Sequence, residues 1–188
     1  YASLVYLGDA TYESASITGY VPTWKTFRWA GSYALVDVYV DGELKTVSVK
    51  PEFTLDGVNY RLGATADQYP RPGMYKFNSK TDADGVVYCD VVTAEEGLLA
   101  VGTANVVAGT SNDVTAFTVE GTAGAFNVSN TTIYFVKADG TIEKVDSSYI
   151  PGAYVAVYGT TDGEYHFAKT IYVFDRYNTE LPATKTLD

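Results

Sequence analysis

Five Asp-Gly pairs punctuate the 188-residue chain, at 41–42, 56–57, 84–85, 139–140 and 162–163. Asp-Gly accepts the positive φ angles of a type I′ turn, whose twist matches that of two antiparallel strands. A chain so punctuated is committed to short hairpins. The first pair has the clearest flanks: a two-residue turn at Asp41-Gly42 pairs Val40 with Glu43, Val38 with Lys45, Val36 with Val47 and Ala34 with Val49. Ala34, Val36, Val38, Val47 and Val49 then share one apolar face, while Leu35, Asp37, Tyr39, Leu44, Thr46 and Ser48 share a mixed one. Around Asp56-Gly57 the alternation is short, and the pair reads equally as an ordinary loop.

Composition agrees with strands. Tyr occurs 17 times, Phe 8 and Trp 2, against one Met, and Val, Thr and Tyr suit a pleated, half-buried surface. No stretch of a dozen residues keeps a 3.6-residue period. Residues 95–101 and 145–150 allow a single turn of helix each. The expected fold is all-β: two tandem small antiparallel units, sandwich-like or barrel-like, rich in Asp-Gly hairpins.

The tandem reading comes from an internal repeat. Pro72-Gly73-Met74-Tyr75 returns 79 residues later as Pro151-Gly152-Ala153-Tyr154. Each copy leads into a strand and an Asp-Gly turn, and each is preceded by an Asp-Gly hairpin, at 41–42 and at 139–140. The first copy holds about 20 extra residues between hairpin and Pro-Gly, which makes 51–69 a candidate insertion. The small, Gly-rich stretch 100–113 marks the boundary. The expected division is a first unit over 1–102, a second over 103–176 and a polar tail over 177–188. The opening Tyr1-Ala2-Ser3 has no Met, charged leader or apolar stretch, which points to a removed signal peptide or a piece of a longer chain.

Charge and residue counts exclude several classes. With 13 Lys and Arg against 23 Asp and Glu, the formal net charge is −10, which repels nucleic acid and anionic membrane surfaces. One cysteine and one histidine allow no internal disulfide and no zinc site built on several Cys or His ligands. No run of 18 apolar residues is present, so no segment reads as a membrane-spanning helix. No motif calls for a cofactor.

Within the second unit, Thr131-Thr132-Ile133-Tyr134-Phe135-Val136 leads to Asp139-Gly140-Thr141-Ile142. Ile150-Pro151-Gly152-Ala153-Tyr154-Val155-Ala156-Val157-Tyr158, Asp162-Gly163 and Ala168-Lys169-Thr170-Ile171-Tyr172-Val173 follow. This run resembles the β modules of large surface proteins of Firmicutes that carry S-layer homology domains, over 131–174 and more loosely over 33–92. The resemblance implies a secreted, cell-surface setting and a stalk or spacer role. The implied partners are other domains of the same protein or cell-wall components, and no catalytic residue is implied.

Individual residues offer few chemical candidates. Asp82-Ala83-Asp84-Gly85 opens like a calcium loop, but Val87 and Thr93 stand where an EF-hand needs Gly and Glu. His166, between Tyr165 and Phe167, reads as a surface strand residue, and Cys89 as a small buried one with Asp90 opposing thiolate formation. Leu181-Pro182-Ala183-Thr184 departs from a sortase signal at Lys185. The two Asn-x-Ser/Thr sequons at 127 and 130 would be coincidental in a bacterial chain. The suggestive cluster is aromatic: Tyr20, Trp24, Phe27, Trp29 and Tyr33, interleaved with Lys25 and Arg28. Exposed, Tyr20, Trp24, Trp29 and Tyr33 would stack on a sugar or anchor a protein partner; buried, they fill a core. Alternation with Phe27 predicts burial for Trp29, and Pro22 puts Trp24 in a loop. The leading expectation is a non-catalytic, extracellular spacer module of a bacterial surface protein, with a carbohydrate- or host-protein-binding module as the alternative.

Overall fold

The hairpin centred on Asp41-Gly42 forms in the expected register. In the computed structural model, which describes residues 16–64 and 69–182, Asp41 and Gly42 have φ of 52° and 84°. They join β3 (Tyr33–Val40) to β4 (Glu43–Val49) with Val40 opposite Glu43 and Ala34 opposite Val49. Ala34, Val36, Val38, Val47 and Val49 are all buried. The other face is mixed, running from buried Ser48 to exposed Leu44.

The chain divides into two compact units between Glu95 and Glu96. The first also contains β1 (Ile17–Val21), β2 (Arg28–Ala30), β5 (Glu52–Leu55), β6 (Val58–Arg61), β7 (Gly73–Thr81) and β8 (Val87–Thr93). Strands β1-β7-β8-β4-β3 form a ring that closes through the Tyr20–Tyr39 pair of β1 and β3, and β2 extends it beyond β3. The second unit contains β9 (Leu98–Thr110), β10 (Asp113–Val119), β11 (Ala125–Val136), β12 (Ile142–Val145), β13 (Tyr154–Asp162) and β14 (Tyr165–Phe174). Its ring is β9-β13-β14-β11-β10, closed through β10 and β9, with β12 attached outside β11.

Number the five ring strands of each unit in chain order, and both rings read first, fourth, fifth, third, second. In both, the third and fifth strands are parallel (β4 with β8, β11 with β14) and the remaining ring pairs are antiparallel. The fold is all-β, a closed five-stranded Greek-key barrel built twice. Among the described residues the only helical element is one 3₁₀ turn, Ser147–Tyr149, capped by Asp146. Residues 95–101, expected as a helical turn, instead run into β9. That strand starts at Leu98, so a division at 102/103 would cut it, and the boundary lies seven residues earlier.

The repeat is one of connectivity, and its expected correspondences hold only in part. The 84–85 and 162–163 turns both join the fourth strand to the fifth. The hairpins at 41–42 and 139–140 are not equivalent: one joins the second and third strands, the other joins the third strand to β12. Gly73 opens β7, whereas Gly152 precedes β13 with φ of 72°. Tyr75 lies in the first core, whereas Tyr154 is half-buried. The insertion is real over its described residues: β5 and β6 pair across Asp56-Gly57 as a separate two-stranded hairpin between the third and fourth ring strands.

The Asp-Gly pairs split by geometry. Those at 41 and 56 have positive φ at both residues; at 84 and 139 only the glycine does. There Asp82 Oδ1 accepts from the Asp84 and Val86 amides (2.8 and 2.9 Å), and Asp139 Oδ1 accepts from the Thr141 amide (2.9 Å). Asp162 pairs with Tyr165, so the last turn is Gly163-Glu164. Where β13 crosses onto β14, a Cβ on Gly159 would lie 1.9 Å from the Phe167 carbonyl oxygen, so only glycine fits.

Each unit has its own core, around Trp24, Val36 and Phe77 in the first and Phe117, Phe126 and Ile171 in the second. The expected polar tail is anchored in its described part. Asn178 is buried and donates through Nδ2 to the Lys137 carbonyl at 3.1 Å, and Tyr154 Oη donates to the Pro182 carbonyl at 2.8 Å. Residues 1–15, 65–68 and 183–188, with the opening Tyr1-Ala2-Ser3 and the Ala183–Lys185 comparison, lie outside the described residues.

Candidate functional site

The four aromatic candidates do not form one platform. Tyr20 sits in β1 opposite Met74 and is buried. Trp24 is in a loop, as Pro22 suggests, yet its relative exposure is 0 %. Its ring meets Tyr75 edge-on at 5.1 Å and lies 5.3 Å from Phe53 and 6.3 Å from Phe77. The loop folds inward and Trp24 fills the first barrel, so Tyr20 and Trp24 offer no surface to a ligand.

Trp29 corrects the sequence expectation in the other direction, being 56 % exposed. It pairs with Ala34, so alternation does put it on the core-facing side of the sheet. But β2 pairs only with Tyr33–Leu35, whereas β1 closes the ring on β3 at Tyr39. The inner side of β2 therefore lies past the closure, where no strand of the described residues faces it. Three residues support the ring there. Phe27 meets Trp29 edge-on, with centroids 5.3 Å apart at 84°. Tyr69 lies 6.2 Å from Phe27, and its hydroxyl accepts the Gly63 amide at 3.2 Å. Gly63 has φ of 90°, and a Cβ there would lie 3.0 Å from Trp29 Cζ2. The result is an aromatic ledge with a glycine behind it. Arg28 points to the opposite side of the strand and holds Asp37 at 3.0 and 3.3 Å.

Tyr33 belongs to a separate cluster. It stacks on Tyr88 at 5.3 Å and 16°, with Lys50 Nζ 5.0 Å from the Tyr88 centroid. Its hydroxyl donates to Asp82 Oδ2. That hydrogen bond is the main reason the phenol is pushed up to about 12, burial and the Asp82 charge adding to it. The same bond, with the Val86 and Asp84 amides, holds the Asp82 carboxyl below its usual range. Asp82 of the calcium-like loop thus fastens the 82–86 turn to β3. Among the described residues no group of three or more His, Cys, Asp or Glu converges as metal ligands would.

His166 differs from its expected place. Tyr165 and Phe167 point outward, and His166, one parity off, is 7 % exposed. It stacks on Phe126 at 5.0 Å, with Nε2 3.2 Å from the Ala123 carbonyl oxygen. Gly124 makes room for it, since a Cβ there would meet Nε2 at 2.9 Å. Cys89 is buried as expected, and burial, with Asp90 adding, pushes its thiol up to about 11.

One feature had no sequence signal. An open cleft of about 500 Å³ in the second unit is lined by Phe135, Tyr149, Tyr154, Phe174, Asp175 and Arg176, among others. Its walls come from segments far apart in the chain. Its polar groups are engaged internally: Asp175 Oδ1 accepts the Tyr177 amide, and Arg176 lies on the Tyr177 ring.

No family model, curated protein or solved structure matches the chain.

Proposed function

We propose that the chain is a non-catalytic spacer module of a bacterial cell-surface protein of the S-layer-associated kind. One observation carries the reading: the same five-stranded ring occurs twice in tandem, each copy with its own core. A repeated closed barrel has few open strand edges to recruit other chains, and repetition adds length by adding units. The Firmicutes-like run over 131–174 supports the setting. Its partners are then neighbouring domains of the same protein or cell-wall components. Antibody labelling of intact and lysed bacterial cells that express the full-length protein tests the setting. Equal labelling of both is expected; signal only after lysis overturns it.

A glycan-binding module is the second reading, and the exposure of Trp29 favours it. A ring held edge-on by Phe27, with a glycine at its back, is preorganised to stack on a flat apolar face such as that of a pyranose. Loss of saccharide binding in Trp29→Ala tests this reading.

A further inference from the structure

We propose that each barrel is built to bear tension along the chain, because its first and last ring strands load the strand between them in shear. The inference rests on the spacer reading and adds what a spacer does when both of its ends are pulled.

The first and fifth strands of each ring flank the fourth: β1 and β8 lie on either side of β7, and β9 and β14 on either side of β13. Both flanking strands are antiparallel to the central one, so they run parallel to each other. The chain therefore enters and leaves each barrel in opposite directions along one central strand. In the first barrel β1 begins with Ile17 opposite Phe77, and Ser16 Oγ donates to Asn78 Oδ1 at 2.6 Å. Strand β8 ends with Thr93 opposite Tyr75, and the Ala94 amide donates to the Met74 carbonyl at 3.0 Å. In the second barrel the Gly159 amide donates to the Gly97 carbonyl at 2.8 Å, just ahead of Leu98 opposite Tyr158. Strand β14 ends with Phe174 opposite Tyr154. The points where the load enters thus lie roughly 13–17 Å apart along the strands and, at two strand spacings, roughly 10 Å across them. Most of the force runs along the strands.

Tension draws Ile17 toward the Thr81 end of β7 and Thr93 toward the Gly73 end. It draws Leu98 and Phe174 apart along β13 in the same sense. Ladder hydrogen bonds stand perpendicular to antiparallel strands. A force along the strands therefore strains every rung together, whereas a force across them opens one rung at a time. Yielding in shear requires a whole ladder to fail at once, which slows forced unfolding.

Single-molecule pulling of the whole chain through pairs of cysteine handles tests this on the second barrel. Glu96→Cys with Arg176→Cys pulls β9 and β14 in shear; Pro151→Cys with Arg176→Cys pulls apart the neighbouring ends of β13 and β14 and unzips them. All three side chains are exposed, so both double variants should keep the parent melting temperature. Cys89 is buried with its thiol pushed up to about 11, so labelling of the folded chain spares it. At one loading rate the 96/176 pair is expected to need at least about twofold more force than the 151/176 pair. Pulling the unaltered sequence by its two ends needs no substitution and checks both barrels. It should give two cooperative steps of roughly 25 nm each, since each ring spans 77 residues, Ile17–Thr93 and Leu98–Phe174. Equal or lower force for the 96/176 pair, or smooth extension of the unaltered sequence without steps, would overturn the inference. Either result would remove the tension-bearing role and leave the surface setting standing, because the setting is read separately by antibody labelling.

Discussion

Two positive backbone dihedrals set the turn of the first hairpin. Asp41 tolerates φ of 52° because its short side chain can bond locally, and Gly42 takes 84° because it has no Cβ. Gly42→Val should cost more than about 1 kcal/mol, since a β-branched residue resists positive φ. Thermal melting checks it, and an unchanged midpoint would refute the turn geometry. Tyr33 gives a second test at this scale. Its folded pKa of about 12 exceeds the ordinary 10.0, so the Asp82 bond favours the neutral phenol. Its contribution is complete below pH 10 and fades as pH rises toward 12. The Asp82 side has the opposite sign: its carboxyl lies below 3.8, so its contribution holds above that value and is lost as pH falls through the folded pKa. The melting difference between the parent and Tyr33→Phe should be flat between about pH 5 and 9 and shrink at both ends. A difference that grows toward high pH would contradict the bond.

At the scale of elements, Trp24 and Trp29 lie five residues apart and have opposite fates. Trp24→Ala removes a ring packed against Phe53, Tyr75 and Phe77 and should cost about 3–5 kcal/mol. Trp29→Ala removes a mostly exposed ring and should cost below about 1 kcal/mol. Acrylamide should quench Trp29 fluorescence strongly and Trp24 weakly, read in the single-Trp variants; the reverse order would refute these placements. The contrast shows what local pattern can and cannot carry. Alternation correctly assigned Trp29 to the core-facing side, but burial also needs a facing strand, and the place where β1 closes the ring is set by pairing with β7 and β3. The β3–β4 register was legible because turn, alternation and both flanks lie within 16 residues. The β11–β14 parallel pairing joins residues roughly 40 apart and leaves no such local mark. His166 was misread because the bulge between Tyr158 and Gly159 and the Gly163-Glu164 turn set the parity of β14, and neither follows from the Asp-Gly pair alone.

At the scale of the molecule, the ring order is the same in both units, while the material between third and fourth strands differs. The first unit inserts β5 and β6 there, and the second has β12 and the 3₁₀ turn. Repetition in the sequence was visible in the Pro-Gly and Asp-Gly grammar, which marks the fourth and fifth strands of each ring. It misassigned the hairpins because the grammar names turns without saying which strands they join. Each ring closes on residues of its own unit, and each core is drawn from that unit alone. Residues 96–188 should therefore fold as a separate chain, since 93 residues lie within the ordinary range for one domain. The decisive contacts are internal: Phe117 stacks on Phe126 at 5.6 Å, and β14 pairs on both sides with β11 and β13. The expected outcome is a cooperative melt of this fragment followed by near-ultraviolet circular dichroism, and a dispersed amide spectrum. Phe126→Ala, which opens the centre of that core, should lower the midpoint of the fragment and of the second unit in the whole chain alike. A fragment with no cooperative transition would mean that the second barrel depends on residues 1–95, and the tandem reading of the chain would fall with it.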